Sequence, residues 1–221
     1  RVRSVHRPTR MASAPTTSSR SRAEYIDRGL AGALRRAIIG TMKILRTVIV
    51  AAALGLSASP ALAALDKGAE APRFTAQGAM AGKPIRVDLA TSLKKGPVVL
   101  YFFPAAFTSG CNLEAQAFAE AMDDFRKAGA TVIGMTGGNT NQLREFSAKH
   151  CAGQFPVATA SKDLIERYDV SLGLGADKAG WSDRTTYVID RDGKVAFSYS
   201  NLKPQEHVAR SLAAVRSLAR K

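Results

Sequence analysis

The stretch Val98–Phe118, VVLYFFPAAFTSGCNLEAQAF, places a cysteine between a buried strand and a helix. Residues Val98–Phe103 are apolar without interruption, where a half-exposed strand would alternate, so they predict a strand covered on both faces. After a turn of small residues, Leu113–Ala128 predicts a helix. Phe118, Ala121, Met122 and Phe125 recur at the i, i+3, i+4, i+7 spacing of one apolar face, and Gly129 is a stop signal. Cys111 falls at the mouth of that helix, where backbone N–H groups lack acceptors and the helix dipole favours an anion. A thiolate is stabilised in such a place. The plainer reading of a cysteine in apolar surroundings is a small, buried, inert side chain.

Working outward, Ile85–Leu89 predicts an earlier strand and Thr131–Met135 the next buried one. Asn141–Lys149 predicts a helix, Val157–Ala160 a short strand and Lys162–Tyr168 a short helix. Thr185–Ile189 and Lys194–Tyr199 flank Asp190-Arg191-Asp192-Gly193, a hairpin signal. Glu206–Arg220 closes the chain as a helix, with Val208, Leu212, Val215 and Ala219 on one side. The order of elements predicts an α/β fold, a central mixed sheet flanked by helices, in a single mature domain over 64–221.

Composition agrees with a globular chain. Of 221 residues 46% are hydrophobic and 23% charged, which excludes collagen-like, coiled-coil and wholly disordered classes. Two cysteines exclude a disulfide-dense scaffold and a four-cysteine zinc site, but allow one redox pair. The net charge of +14 is unevenly distributed. Residues 1–63 hold eleven Lys and Arg against two acids, Glu24 and Asp27, a net of +9. The remaining 21 bases face 16 acids, a mixed surface that argues against nucleic-acid binding by the folded part.

From Met42 the chain reads MKILRTVIVAAALGLSASPALAALD. Lys43 and Arg46, an apolar run from Thr47 to Leu56, and Ala61-Leu62-Ala63 have the order of a secretory signal peptide over 42–63, cleaved after Ala63. The alternative is an uncleaved anchor, against which Ser57, Ser59 and Pro60 argue, since a spanning helix needs about 20 apolar residues. No cysteine stands near the expected cleavage site, which excludes a lipid-modified anchor there. Residues 1–41, rich in Arg, Ser, Thr and Ala, read as upstream sequence outside the native start at Met42, as a disordered leader, or as an organelle transit peptide. An exported protein, touching the membrane only in transit, is the expectation.

Pro104, Thr108 and Cys111 form the string P-x-x-x-T-x-x-C, which resembles the signature of the peroxiredoxins. FTSGCNLEAQAF is most similar to the peroxiredoxin Q, or bacterioferritin comigratory protein, group of the AhpC/TSA superfamily. Gly68-Ala69-Glu70-Ala71-Pro72-Arg73-Phe74 resembles that family's opening G-x-x-A-P-x-F, and Arg184-Thr185-Thr186-Tyr187-Val188-Ile189-Asp190 its R-x-T-F-hydrophobic-I-D segment. The resemblance spans nearly the whole of 64–221 and implies a thioredoxin-like fold and a thiol-dependent peroxidase.

By that resemblance Cys111 attacks a hydroperoxide and becomes a sulfenic acid, with an antioxidant role. Thr108 and the backbone N–H groups up to Cys111 hold the peroxide. Arg184 stabilises thiolate and transition state, a task suited to its permanent charge and rigid donors. Pro104 shields the sulfenic acid from water. Each residue also has a plainer reading: Thr108 as a helix cap, Pro104 as a strand end, Arg184 as a solvated arginine at a strand edge. Glu114 reads as an acid matched to the helix dipole rather than a proton donor.

Gln116 stands five residues after Cys111, where many peroxiredoxin Q members carry a resolving cysteine. Another subset places it in the next helix, which fits Cys151, 40 residues beyond Cys111. The resemblance thus implies an intramolecular Cys111–Cys151 disulfide, formed after the first helical turn loosens to bring the Cα atoms within about 7 Å. A one-cysteine enzyme with Cys151 incidental is the alternative. His150 reads as solvent-facing, and His6, His150 and His207 show no metal spacing. Gly173-Leu174-Gly175 lacks the third glycine of a dinucleotide fingerprint, and Trp181 reads as a packing residue near Arg184. Cofactor and metal are therefore expected to be none. The expected partners are a hydroperoxide and a thiol reductant, either a thioredoxin-like protein or a small thiol, with the chain a monomer or homodimer. The competing functions are a disulfide reductase or isomerase, disfavoured by the lack of C-x-x-C, and a non-catalytic binding module.

Overall fold

The computed structural model describes residues 64–173 and 180–220. The expected leader over 1–41 and signal over 42–63 lie outside them, as do His6, Leu174 and Gly175. The described strands are β1 Thr75–Met80, β2 Lys83–Asp88, β3 Val98–Phe102, β4 Thr131–Thr136, β5 Val157–Thr159, β6 Thr185–Ile189 and β7 Val195–Ser200. The described helices are α1 Leu89–Leu93, α2 Ser109–Glu120, α3 Met122–Lys127, α4 Leu143–Lys149, α5 Lys162–Arg167 and α6 His207–Leu218.

The seven strands form one mixed sheet in the order β2-β1-β5-β4-β3-β6-β7. At its centre β3, β4 and β5 run parallel; β6, β7, β1 and β2 flank them through antiparallel pairs. The unbroken apolar run of β3 is explained by two cores. Val99, Tyr101 and Phe103 face one cluster, Val98, Leu100 and Phe102 the other, and all six are fully buried. Both cysteines lie on the Tyr101 side.

Three expectations change. The strand β1 has no signal in Thr75-Ala76-Gln77-Gly78-Ala79-Met80; it forms because β2 and β5 pair with it on either side. The expected helix over Leu113–Ala128 starts earlier, at Ser109, and breaks at Ala121 into α2 and α3. Ser109 and Gly110 carry no apolar side chain, so the first turn leaves no trace in the hydrophobic pattern. Cys111 is consequently inside the helix rather than ahead of it. At the C-terminus, Ala219 is exposed while His207 and Ser211 are buried, so the inner face of α6 is more polar than its pattern predicts. No helix among the described residues is long and apolar enough to cross a membrane.

Candidate active site

The site is built where β3 ends. Phe103 N–H donates to the Met135 carbonyl (2.9 Å), and the Ser182 hydroxyl donates to the Phe103 carbonyl (2.9 Å). The Pro104 carbonyl accepts from the Thr136 hydroxyl (3.0 Å), and the Ala106 carbonyl from the Asn139 amide (2.8 Å). The turn out of the strand is thus fixed to β4 and the loop after it. Gly138 permits the close approach: a Cβ there would stand 2.4 Å from the Pro104 oxygen. Phe107 is held at φ +62°, a conformation that costs energy for a bulky residue.

Thr108 takes the N-cap position of α2, but its hydroxyl caps nothing; it donates to the Ala105 carbonyl at 3.0 Å. Cys111 is the third helical residue, in the turn whose N–H groups have no intrahelical acceptor. It is 1% exposed. Only a small molecule or a local opening reaches such a sulfur. A cleft of about 720 Å³ lined by Arg73, Lys94, Arg167 and Arg191 includes neither cysteine nor Arg184.

The structure brings Arg184 to Cys111 across 73 residues of chain. Its Nη2 donates to Cys111 Sγ at 3.4 Å, its Nε to the Leu202 carbonyl at 2.8 Å, and its Nη1 to Glu114. Arg184 is 5% exposed, which excludes the solvated strand-edge reading. Gly110 makes room for it, since a Cβ there would lie 3.2 Å from Nη2. One guanidinium therefore faces two potential anions, a thiolate and a carboxylate.

Glu114 is a correction to the sequence reading. It lies one turn into α2, fully buried, as the ion-pair partner of Arg184. Burial lifts its carboxyl from the ordinary range to about 7, against the pull of the guanidinium. Behind it stands His207, also fully buried, with Nδ1 3.8 Å from Glu114 Oε1. The sequence reading leaves His207 as one of three scattered histidines, because the apolar pattern of the final helix does not mark position 207 as inward.

Cys151 lies two residues beyond α4, wholly buried, with its N–H donating to the Phe146 carbonyl (3.3 Å). It is a free thiol, as is Cys111, and burial pushes it well above its ordinary range. The two cysteines share a core cluster without touching through a hydrogen bond. His150 is not solvent-facing: it is 8% exposed and packs on Phe107 (5.2 Å) and Phe146 (5.3 Å). Burial holds its imidazole below the usual value. The active-site loop, through Phe107, thus rests on the helix that leads to Cys151. Trp181 is half-buried three residues before Arg184, its carbonyl accepting from Leu172 N–H (3.2 Å). Among the described residues no group of three His, Cys, Asp or Glu could hold a metal ion.

Comparison with known proteins supplies the family. The AhpC/TSA family model matches residues 67–198. A putative chloroplastic peroxiredoxin Q of Oryza sativa subsp. indica is 35% identical over 156 residues, 70% of this chain and 68% of that protein. The chloroplastic peroxiredoxin Q of Sedum lineare is 33% identical over 158 residues, 71% and 81%. The crystal structure of the peroxidoxin BcpB from Mycobacterium tuberculosis superposes with a TM-score of 0.61 at 30% identity, covering 70% of this chain and 98% of that one. The reduced 2-Cys peroxiredoxin of Plasmodium vivax shares the fold, with a TM-score of 0.58 at 23% identity and 70% and 83% coverage. With a thioredoxin-like sheet, a cysteine in the first turn of its helix and these relatives, the chain belongs to the AhpC/TSA family and is a peroxiredoxin, a thiol-dependent peroxidase.

Proposed function

We propose that Cys111 is the peroxidatic residue and that the enzyme reduces hydrogen peroxide and organic hydroperoxides in three balanced steps. In the first, the Cys111 thiolate attacks the terminal oxygen of ROOH; the S–O bond forms as the O–O bond breaks, and the departing RO⁻ takes a proton to give ROH. Cysteine is oxidised to sulfenic acid and the peroxide is reduced. The observation that carries this reading is the guanidinium of Arg184 at 3.4 Å from Sγ, inside the first turn of α2. It holds positive charge where the thiolate sits and where the leaving oxygen gains charge. Thr108, whose hydroxyl donates to the Ala105 carbonyl, turns that hydroxyl to the bound peroxide. Pro104, half-buried at the strand end, screens the sulfenic acid.

In the second step the Cys151 thiol displaces water from the sulfenic acid and the Cys111–Cys151 disulfide forms. Both sulfurs are buried in one cluster, so the first turn of α2 must loosen for them to meet. In the third, two thiols of a reductant, a thioredoxin-like protein or a small thiol, restore both cysteines and leave as a disulfide. The resemblance carries a monomer or homodimer, which sedimentation equilibrium reads. The segment 42–63 carries export to the periplasm or the exterior; N-terminal sequencing of the native protein is expected to begin at Ala64, and a mature end well before residue 60 refutes it.

The decisive test is hydroperoxide consumption with a thiol reductant. Cys111→Ser is expected to abolish it, and retained turnover overturns the assignment of the nucleophile.

A further inference from the structure

Behind Arg184 the buried polar groups do not balance. His207 Nε2 lies 2.8 Å from the Asn201 carbonyl, which can only accept, so Nε2 carries the ring proton. In the neutral imidazole Nδ1 is then a bare acceptor, and the Thr186 hydroxyl donates to it at 2.8 Å. Glu114 Oε1, 3.8 Å from that same Nδ1, has no hydrogen-bond partner among the described residues. Two acceptors therefore share one donor in a fully buried site, where an unmet acceptor is costly. One added proton, on Oε1 or on Nδ1, turns the gap into a hydrogen bond once the groups close to about 2.8 Å.

Charge leads to the same place. With Cys111 ionised, Arg184 is, among the described residues, the one cation in contact with two anions, Cys111 and Glu114. A surplus buried negative charge is expensive, and a proton between Glu114 and His207 removes it. We propose that Glu114 and His207 hold one proton between them, and that His207 thereby acts as a positioning residue, releasing Arg184 from Glu114 to the Cys111 thiolate. The proposal rests on the roles given above to Cys111 and Arg184.

The surroundings are compatible with that proton. Glu114 is faced by Arg184, His207 and, through the core, Tyr101. His207 is faced by Arg184, Arg210, Glu206 and the Tyr199 ring at 4.8 Å. Burial lifts the carboxyl to about 7 and lowers the imidazole to about 4. Both shifts favour the carboxyl over the imidazole as the holder of the shared proton.

Two measurements test this. In ¹⁵N-labelled protein, the His207 ring is expected as the Nε2–H tautomer, with an Nδ1 resonance that titrates near neutrality and loses that titration in Glu114→Gln. A neutral Nδ1–H tautomer at pH 8, or an identical titration in Glu114→Gln, overturns the proposal. The second is the rate constant for Cys111 oxidation against pH, corrected for the thiolate fraction read by ultraviolet absorbance. The wild type is expected to slow severalfold as pH rises through neutrality. Glu114→Gln, which mimics the protonated acid, should stay on the fast plateau. His207→Asn, whose amide donates permanently to Oε1, should stay on the slow one. An unchanged inflection in both variants refutes the shared proton. Absence of Cys111 oxidation at every pH refutes instead the underlying reading of the nucleophile, so the two failures are distinguishable.

Discussion

Replacing Arg184 with lysine keeps a positive charge and removes the fork. The guanidinium makes three contacts at once, to the Leu202 carbonyl, to Glu114 and to Cys111 Sγ. An ammonium is a compact point charge and cannot span the carboxylate and the sulfur together. Nearer the carboxylate, it leaves the sulfur without its donor. A hydrogen bond to a charged group contributes about 1.5–3 kcal/mol, and each 1.4 kcal/mol of barrier is a tenfold rate change. The rate constant for Cys111 oxidation should therefore fall about 10–10²-fold in Arg184→Lys. In Arg184→Met, which also removes the charge, the fall should approach the 10²–10³-fold typical of losing a preorganised donor to a developing anion. Folding should suffer less than the usual 3–5 kcal/mol for stripping one partner from a buried pair, because the abandoned Glu114, with its carboxyl near 7, can take a proton instead. Rapid mixing of reduced protein with hydrogen peroxide, followed by fluorescence of Trp181, the sole tryptophan and three residues from Arg184, reads the rate directly. A folded Arg184→Lys protein oxidised within threefold of the wild-type rate refutes the reasoning.

After one equivalent of peroxide, the wild type should lose both thiols and yield a Cys111–Cys151 peptide, while Cys151→Ser accumulates a dimedone-reactive sulfenic acid; a surviving Cys151 thiol beside a Cys111 sulfenic acid in the wild type rules the bridge out. Stability against pH should separate the two buried acid–base groups. The Glu114 carboxyl is raised from 4.5 to about 7, so the folded state binds more protons and stability falls as pH rises across that window. The His207 imidazole is lowered from 6.5 to about 4, so its contribution grows as pH rises from 4 to 6.5. In the wild type these slopes largely cancel. Glu114→Gln, left with the His207 slope alone, should gain stability with pH by on the order of 3 kcal/mol at 1.36 kcal/mol per pK unit; a urea midpoint that stays flat in this variant refutes the assignment. Gly138→Ala drives a Cβ to 2.4 Å from the Pro104 oxygen and 2.6 Å from Ala105 Cβ. Such overpacking costs about 1–3 kcal/mol, so the melting temperature should drop by several degrees and Cys111 oxidation should slow; an unchanged melting curve contradicts the close approach described.

Along the chain, what was legible was what neighbouring residues encode together. The unbroken apolar run of β3, the helix after Cys111, and the β6–β7 hairpin around Asp190–Gly193 each announce themselves within a few residues, because burial and turn chemistry act locally. Cys111, Thr108, Pro104 and Arg184 could be singled out for the same reason: each sits in a short string with a recognisable pattern. The strand β1 could not, since its Ala, Gly and Gln carry no period and only pairing with β2 and β5 makes it a strand.

The pairing of charges was decided by tertiary structure alone. Nothing in the helical pattern says that Glu114 is buried, that His150 lies under Phe107, or that His207 closes over the carboxylate from 93 residues away. Periodicity tells which side of an element turns inward. It does not tell which distant side chain will be waiting there, and an ionisable group takes its character from that neighbour and from the water it has lost.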